Sequence, residues 1–336
     1  MNRDAINVME GELLASSPSP HIRRGDTART LMTDVIIALI PAIVWGAVCF
    51  GLRALSVVLL SMASAVLFEY LYERIRKKPI TVGDFSAAVT GLLLGLSLPA
   101  SVPYFMPIVG AFFAVVVVKQ FFRVGGRSLI NPAIAARVFL YFWQGEMTMF
   151  TSPFVRLGIF ASSADMADVV ASATPLASLK NGNLPDISWV DLITGKCGGA
   201  IGEVSSLLLV LGGVYLLVRK VISWHIPVSM IGTVMLLTAV FPQNSDTAAF
   251  VFSEIFSGGL LLVAFFVATD YQTSPITSRG KLICGALCGV IIVLMRYFSE
   301  YPCGVSFAII IMNCLVGVID KYTTPIAFGT IKRKIF

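Results

Sequence analysis

Apolar positions fall in long blocks separated by short polar breaks, with neither the alternation of a strand nor the one-sided stripe of a surface helix. Ten such runs cover residues 31–50, 54–72, 85–98, 104–121, 132–149, 201–218, 226–241, 250–268, 282–295 and 305–319. About 20 apolar residues carry a helix across a bilayer core, with about 17 as the lower edge. The pattern therefore predicts an all-α integral membrane protein of about ten transmembrane helices. The runs at 85–98 and 282–295 are only 14 residues long, which predicts tilted, broken or bundle-buried helices there. One polar stretch is far longer than the rest. It divides the chain into an N-terminal segment 1–30, a first membrane half 31–149, a loop 150–200, a second membrane half 201–320 and a tail 321–336.

Composition strengthens this reading. Of 336 residues, 57% are hydrophobic and 13% charged, about half the charge of a soluble domain. The net charge of +6 is explained by where the charges sit. With the N-terminus inside, nineteen of the 25 Lys and Arg residues fall in inner segments and four in outer ones, a strong positive-inside signal. It places both termini in the cytoplasm and the 150–200 loop outside, and makes nucleic acid an improbable partner. Residues 1–30 hold no apolar core of signal-peptide type. None of the six cysteines forms a CxxC pair. Cys284 and Cys288 share a helix face within an apolar run, and only two histidines occur, so no metal site is expected.

Five runs precede the long loop and five follow it. An odd number per half gives the halves opposite orientations, the geometry of an inverted repeat. A faint echo supports it: Ser86-x4-Gly91 runs into LLL as Ser253-x4-Gly258 runs into GLLL. Asp84 and Glu254 stand near these matching stretches. Ionisable groups in apolar runs tend to be functional, and these two are the candidates for an ion path. Glu69, Asp270 and Asp320, at run ends, read as groups reaching the interface. Gly91 and Gly95, spaced GxxxG, mark a close helix contact, within the chain or with a partner.

The long loop holds Asp168-Val169-Val170-Ala171-Ser172-Ala173-Thr174-Pro175-Leu176. Small residues give an enzyme access to the Thr174 hydroxyl, and Pro175 fixes the chain just beyond. Asn131-Pro132 reads as the cap and first residue of a helix, whose exposed N–H groups offer a flavin contact. Other blocks keep their order along the chain: Ser19-Pro20-His21, TGLLLGLSLP at 90–99, Asn131-Pro132-Ala133, Ala268-Thr269-Asp270, Thr273-Ser274-Pro275, and Tyr301-Pro302 leading into Met312-Asn313.

Together these blocks, from about residue 18 to 325, resemble the NqrB/RnfD family, membrane subunits of the Rnf complex and of the related sodium-pumping NADH:quinone oxidoreductase. The Rnf member is the nearer in its compact N-terminus. The resemblance implies FMN joined to Thr174 by a phosphoester bond, with Asp168, Ser172 and Ala173 as its motif neighbours. Ala171 and Ser172 stand where the family has Ser and Gly. The resemblance also leaves room for a second, non-covalent flavin, which the sequence does not place. The implied role is electron transfer in a complex that couples ferredoxin and NAD to Na+ or H+ translocation in the bacterial cytoplasmic (inner) membrane. The other Rnf subunits and a flavin transferase would be partners, beside the lipid bilayer. No GxGxxG-plus-acid pattern suggests an NAD site in the chain itself. The competing reading is a stand-alone solute transporter or channel with an inverted-repeat fold.

Overall fold

The computed structural model describes residues 27–124, 127–154, 158, 174–203, 205–299 and 304–325. Among these, the chain is helical apart from a two-residue antiparallel pair, Arg123–Val124 with Arg127–Ser128.

The first half opens with α1 (Ala28–Phe50), capped by Thr27 and Thr30 side chains that bond each other's backbone. Gly51, at φ 80, turns the chain directly into α2 (Leu52–Ile75). Next come a 3-10 turn at Val82–Asp84, α3 (Ser86–Leu96), and α4 (Phe105–Phe112), which continues as a π-helix over Phe113–Phe121. α5 (Pro132–Leu140) starts on Asn131, and α6 (Gln144–Thr148) follows it. Two short helices, α7 (Pro175–Lys180) and α8 (Trp189–Thr194), lie in the connector. The second half holds α9 (Ser206–Val218), α10 (His225–Val240), α11 (Thr247–Phe256), α12 (Leu260–Leu262, continuing as a π-helix over Val263–Val267), α13 (Ser278–Phe298) and α14 (Val305–Thr323).

Four helices, α1, α2, α13 and α14, are long and apolar enough to cross a membrane, and α11 with α12, bent by 56° at their break, pass the same test only when taken together. Five shorter apolar helices occupy the remaining runs. Two expectations change here. The 282–295 run belongs to a full-length helix of 21 residues, because Ser278, Arg279, Gly280 and Lys281 extend it beyond the apolar stretch. The 250–268 run, read as one span, is broken. Gly258 takes φ +68, a conformation that β-carbon-bearing residues adopt only under strain.

α3 lies inside the bundle, with residues 87–96 all buried. Gly91 and Gly95 settle where the GxxxG contact is made. A β-carbon at Gly91 would lie 2.6 Å from the Ser61 carbonyl, and one at Gly95 2.9 Å from Val58 Cα. Both press on α2, within the chain. Beyond α3 the non-helical residues 97–102 are also buried, so their backbone groups need partners. Arg53 supplies two bonds, Nε to the Ala100 carbonyl (3.1 Å) and Nη2 to the Val102 carbonyl (3.1 Å). The connector supplies two more: Ile201 N–H donates to Leu98 (3.0 Å) and Gly202 N–H to Leu96 (2.7 Å). The end of the connector therefore enters the bundle instead of staying on its surface.

Buried ion pairs join distant segments. Arg137 of α5 meets Glu203 of the connector at 2.9 Å, with side chains 2% and 6% exposed. Arg296 of α13 binds the Glu254 carboxylate and donates to the Ser257 carbonyl at 3.1 Å, which caps the break between α11 and α12. Lys119 binds Glu69 between α4 and α2. Glu69 thus turns inward rather than reaching the interface, because its counter-charge lies inside the bundle. Lys119, counted among the loop charges by the sequence, lies in the helical stretch.

Candidate functional site

Two pockets sit at opposite ends of the same helices. The chain leads from Asn131, which lines one, through α5 and α6 to Phe150, which lines the other; the α12 segment leads from Gly258 at the second to Asp270 at the first.

The Thr174 pocket is built where the connector meets the α11–α12 break. Thr174 is the N-cap of α7. Its backbone is extended, and its Oγ accepts from Ala177 N–H at 3.3 Å. Pro175 follows at the first helical position, where its fixed φ suits the helix and its missing N–H is harmless. Leu176, Leu179 and Phe250 form a small buried cluster that seats α7 on α11, and Asn244 Nδ2 ties down the Gly182 carbonyl at 2.7 Å. The pocket has a volume of about 490 Å3, open mouth included, and is lined by Phe150, Thr174, Cys197, Gly198, Glu203 and Phe256 among others. Thr174 is half-buried. Burial pushes the Cys197 thiol up to about 12. Asp168, Ser172 and Ala173 lie outside the described residues.

The second cavity is larger, about 860 Å3 with its mouth, and lies where the two halves meet. The first half contributes the starts of α1, α3 and α5 together with Lys119; the second contributes the end of α9, Phe265, Phe266 and residues 269–272. Asn131, 3% exposed, caps α5 by accepting from Ala133 N–H (3.1 Å) and Ile134 N–H (3.4 Å). Its Nδ2 reaches Asp270 Oδ2 at 3.4 Å. Burial pushes the Asp270 carboxyl above the usual carboxylate range, against the pull of the Gln272 amide, Thr273 and the Lys119 charge. Both π-helical stretches line this cavity, through Lys119 in one and Phe265 and Phe266 in the other. Such wide turns recur at functional sites.

Of the sequence candidates, Thr174 and Asn131 each line a pocket, one at either end. Asp84 and Glu254 do not come together. Asp84 accepts from the Ser86 N–H and hydroxyl at the start of α3, and Glu254 is held by Arg296. No group of three or more metal-binding side chains occurs among the described residues. Cys197, Glu203, Lys119, Asp270 and Gln272 were not singled out as pocket residues by the sequence. Two signals were available: Lys119 inside the apolar stretch VVVVKQFF, and Asp270, which turns into the cavity beside Asn131 instead of reaching the interface as its run-end position suggested.

The class this architecture defines is a polytopic membrane protein with a pocket at a connector threonine and a larger, mainly apolar cavity between its halves. The chain belongs to the NQR2, RnfD, RnfE family, whose model matches residues 15–329. It is 40% identical to a subunit of the Na(+)-translocating ferredoxin:NAD(+) oxidoreductase complex of Acetobacterium woodii, over 96% of this chain and 97% of that one. It is 38% identical to a subunit of the proton-translocating ferredoxin:NAD(+) oxidoreductase complex of Clostridium ljungdahlii, over 94% and 96%. Against a subunit of the ion-translocating oxidoreductase complex of an Escherichia coli O7:K1 strain it is 35% identical, over 94% and 98%.

Proposed function

We propose that this chain is the membrane electron-transfer subunit of an Rnf-type complex, carrying covalent FMN on Thr174 and a second, non-covalent flavin in the cavity at Asn131. The observation that carries the reading is the pairing of two pockets across one helix. Gly258, just before α12, lines one, and Phe265, Phe266 and Asp270 line the other. The complex would couple electron flow between ferredoxin and NAD to Na+ or H+ movement, with NAD bound elsewhere in the complex. In this reading the chain crosses the bacterial cytoplasmic membrane ten times in two inverted halves. Both termini face the cytoplasm and the Thr174 loop faces outward, where a flavin transferase reaches it. A stand-alone transporter would share the broken helices but has no use for the reactive threonine.

The residues present fit both groups. At Thr174 the hydroxyl is half-buried and stands beside the glycines 198 and 199 and two aromatic rings, Phe150 and Phe256. In the cavity, Asn131, Gln272 and Lys119 offer donors, and Val89, Leu93, Phe265 and Phe266 offer an apolar floor. A flavin supplies reversible one- and two-electron chemistry when bound. The chain's own part is to hold and insulate. Thr174 tethers, so that delivery is intramolecular. The Arg137–Glu203 pair fixes the wall of the outer pocket, and the Asn131 cap fixes the start of α5 against Asp270.

Intact mass of the native protein tests the tether. A gain of one FMN, absent from Thr174→Ala, is expected. An unmodified chain from a host that flavinylates other proteins would remove covalent FMN from this reading.

A further inference from the structure

Lys119 is a buried cation that the tether and the α5 cap leave without a role. It sits in the last turn of the π-helix Phe113–Phe121 and is 9% exposed. Its Nζ binds Glu69 and donates to the Ser86 hydroxyl at 2.6 Å. Those are two of the three donors an ammonium carries. The geometry is one-sided. Lys119 and Ser86 line the cavity, whereas Glu69, 1% exposed, stands behind them and does not. A ligand in the cavity therefore meets the positive end of the pair. Among the described residues the one acid lining the cavity is Asp270, whose carboxyl burial pushes toward its neutral form.

Resting on the reading that this cavity holds a flavin, we infer that Lys119 sets the flavin's redox balance by stabilising its reduced, negatively charged form over the neutral oxidised one. The oxidised ring system is neutral. Uptake of two electrons from the complex's donor and one proton from water at the cavity mouth leaves one net negative charge. A cation on the wall stabilises that charge without a second proton, and does so strongly where water is scarce. Glu69 and Ser86 are positioning residues. They hold the ammonium aimed at the cavity, which a lysine free on its flexible stem would not be.

The test uses the full-length chain in detergent, in a Thr174→Ala background so that no covalent flavin contributes. Flavin released on denaturation is counted, and the bound flavin is titrated spectroelectrochemically. Lys119→Met should weaken binding of the reduced form at least tenfold relative to the oxidised form, which for a two-electron couple is a fall of about 30 mV in midpoint. Lys119→Arg should hold the midpoint close to its starting value. Lys119→Met combined with Glu69→Gln removes both charges, so the bundle keeps no orphaned ion, and the midpoint should still fall. Flavin bound at full occupancy with an unchanged midpoint in Lys119→Met overturns the role of Lys119. Absence of releasable flavin from the unmutated cavity overturns the flavin reading of the cavity itself, and this inference with it.

Discussion

The two pockets are built on opposite plans. The Asn131 cavity is walled by the starts of three helices and the ends of others, so both membrane halves enclose it. The Thr174 pocket is smaller, and much of its wall is connector: a six-residue helix, a Gly-Gly step and one descending stretch of backbone. An enclosed cavity retains a ligand by burying its surface. The Thr174 pocket is the smaller of the two, and in the proposed function a covalent bond would supplement its contact area. The difference sets the Thr174 hydroxyl, on a short connector helix, apart from the Asn131 cap at the junction of the two halves.

The largest effect that could break this contrast is at the tether. Thr174→Ala should abolish covalent flavin altogether while leaving releasable flavin in the cavity at its normal level, read by mass and by flavin counting on one sample. Loss of both would mean that the pockets are not independent. The next largest is structural. Arg137→Met leaves the Glu203 charge without its Arg137 counter-ion inside the bundle, which costs about 3–5 kcal/mol where such a charge stays buried. A marked fall in thermal midpoint in detergent is expected, with recovery in Arg137→Met/Glu203→Leu. Because Glu203 lines the Thr174 pocket and not the cavity, flavinylation should suffer more than cavity occupancy.

Much of the helical layout was legible, since hydropathy blocks follow directly from the solvent a helix faces. Thr174 and Asn131 were legible as local chemistry: a proline-flanked hydroxyl and an Asn-Pro cap. The long-range partners were not. Glu69 at a run end reads equally well as an interfacial group or a buried one, and the answer depends on Lys119, fifty positions away. The break at residues 257–259 hides inside a continuous apolar run, because a glycine's positive φ leaves no trace in hydropathy. The descent of residues 198–203 into the bundle was missed for the related reason that polar-looking backbone is buried only when other segments supply its bonds. Here Leu96 and Leu98 do so.

A smaller effect sharpens the other side of the contrast. Asn131→Ala removes the α5 cap, worth about 1 kcal/mol, together with the Nδ2 contact to Asp270. Cavity flavin should be lost several-fold more readily on dilution, with covalent flavin at Thr174 unchanged. Equal loss at both sites would mean that the cap supports the whole bundle and not the cavity.

The smallest effect is on a rate, and it reports on the Thr174 pocket alone. Cys197 lines that pocket and is only half-buried, so access by itself predicts labelling. Its chemistry predicts otherwise. Burial raises the thiol to about 12, and only the thiolate attacks an alkylating reagent. An acid whose value is raised stays protonated further into the alkaline range. Labelling at Cys197 should therefore be slow at neutral pH and rise about tenfold per pH unit past 9, where an ordinary thiol levels off near its own value of about 8.5. FMN on Thr174 would cover the same wall, so the flavinylated protein should label a few-fold more slowly than Thr174→Ala at every pH. Identical rates in the two proteins would place the flavin away from Cys197, facing a partner protein, and would leave the pocket as a seat for the tether rather than for the ring.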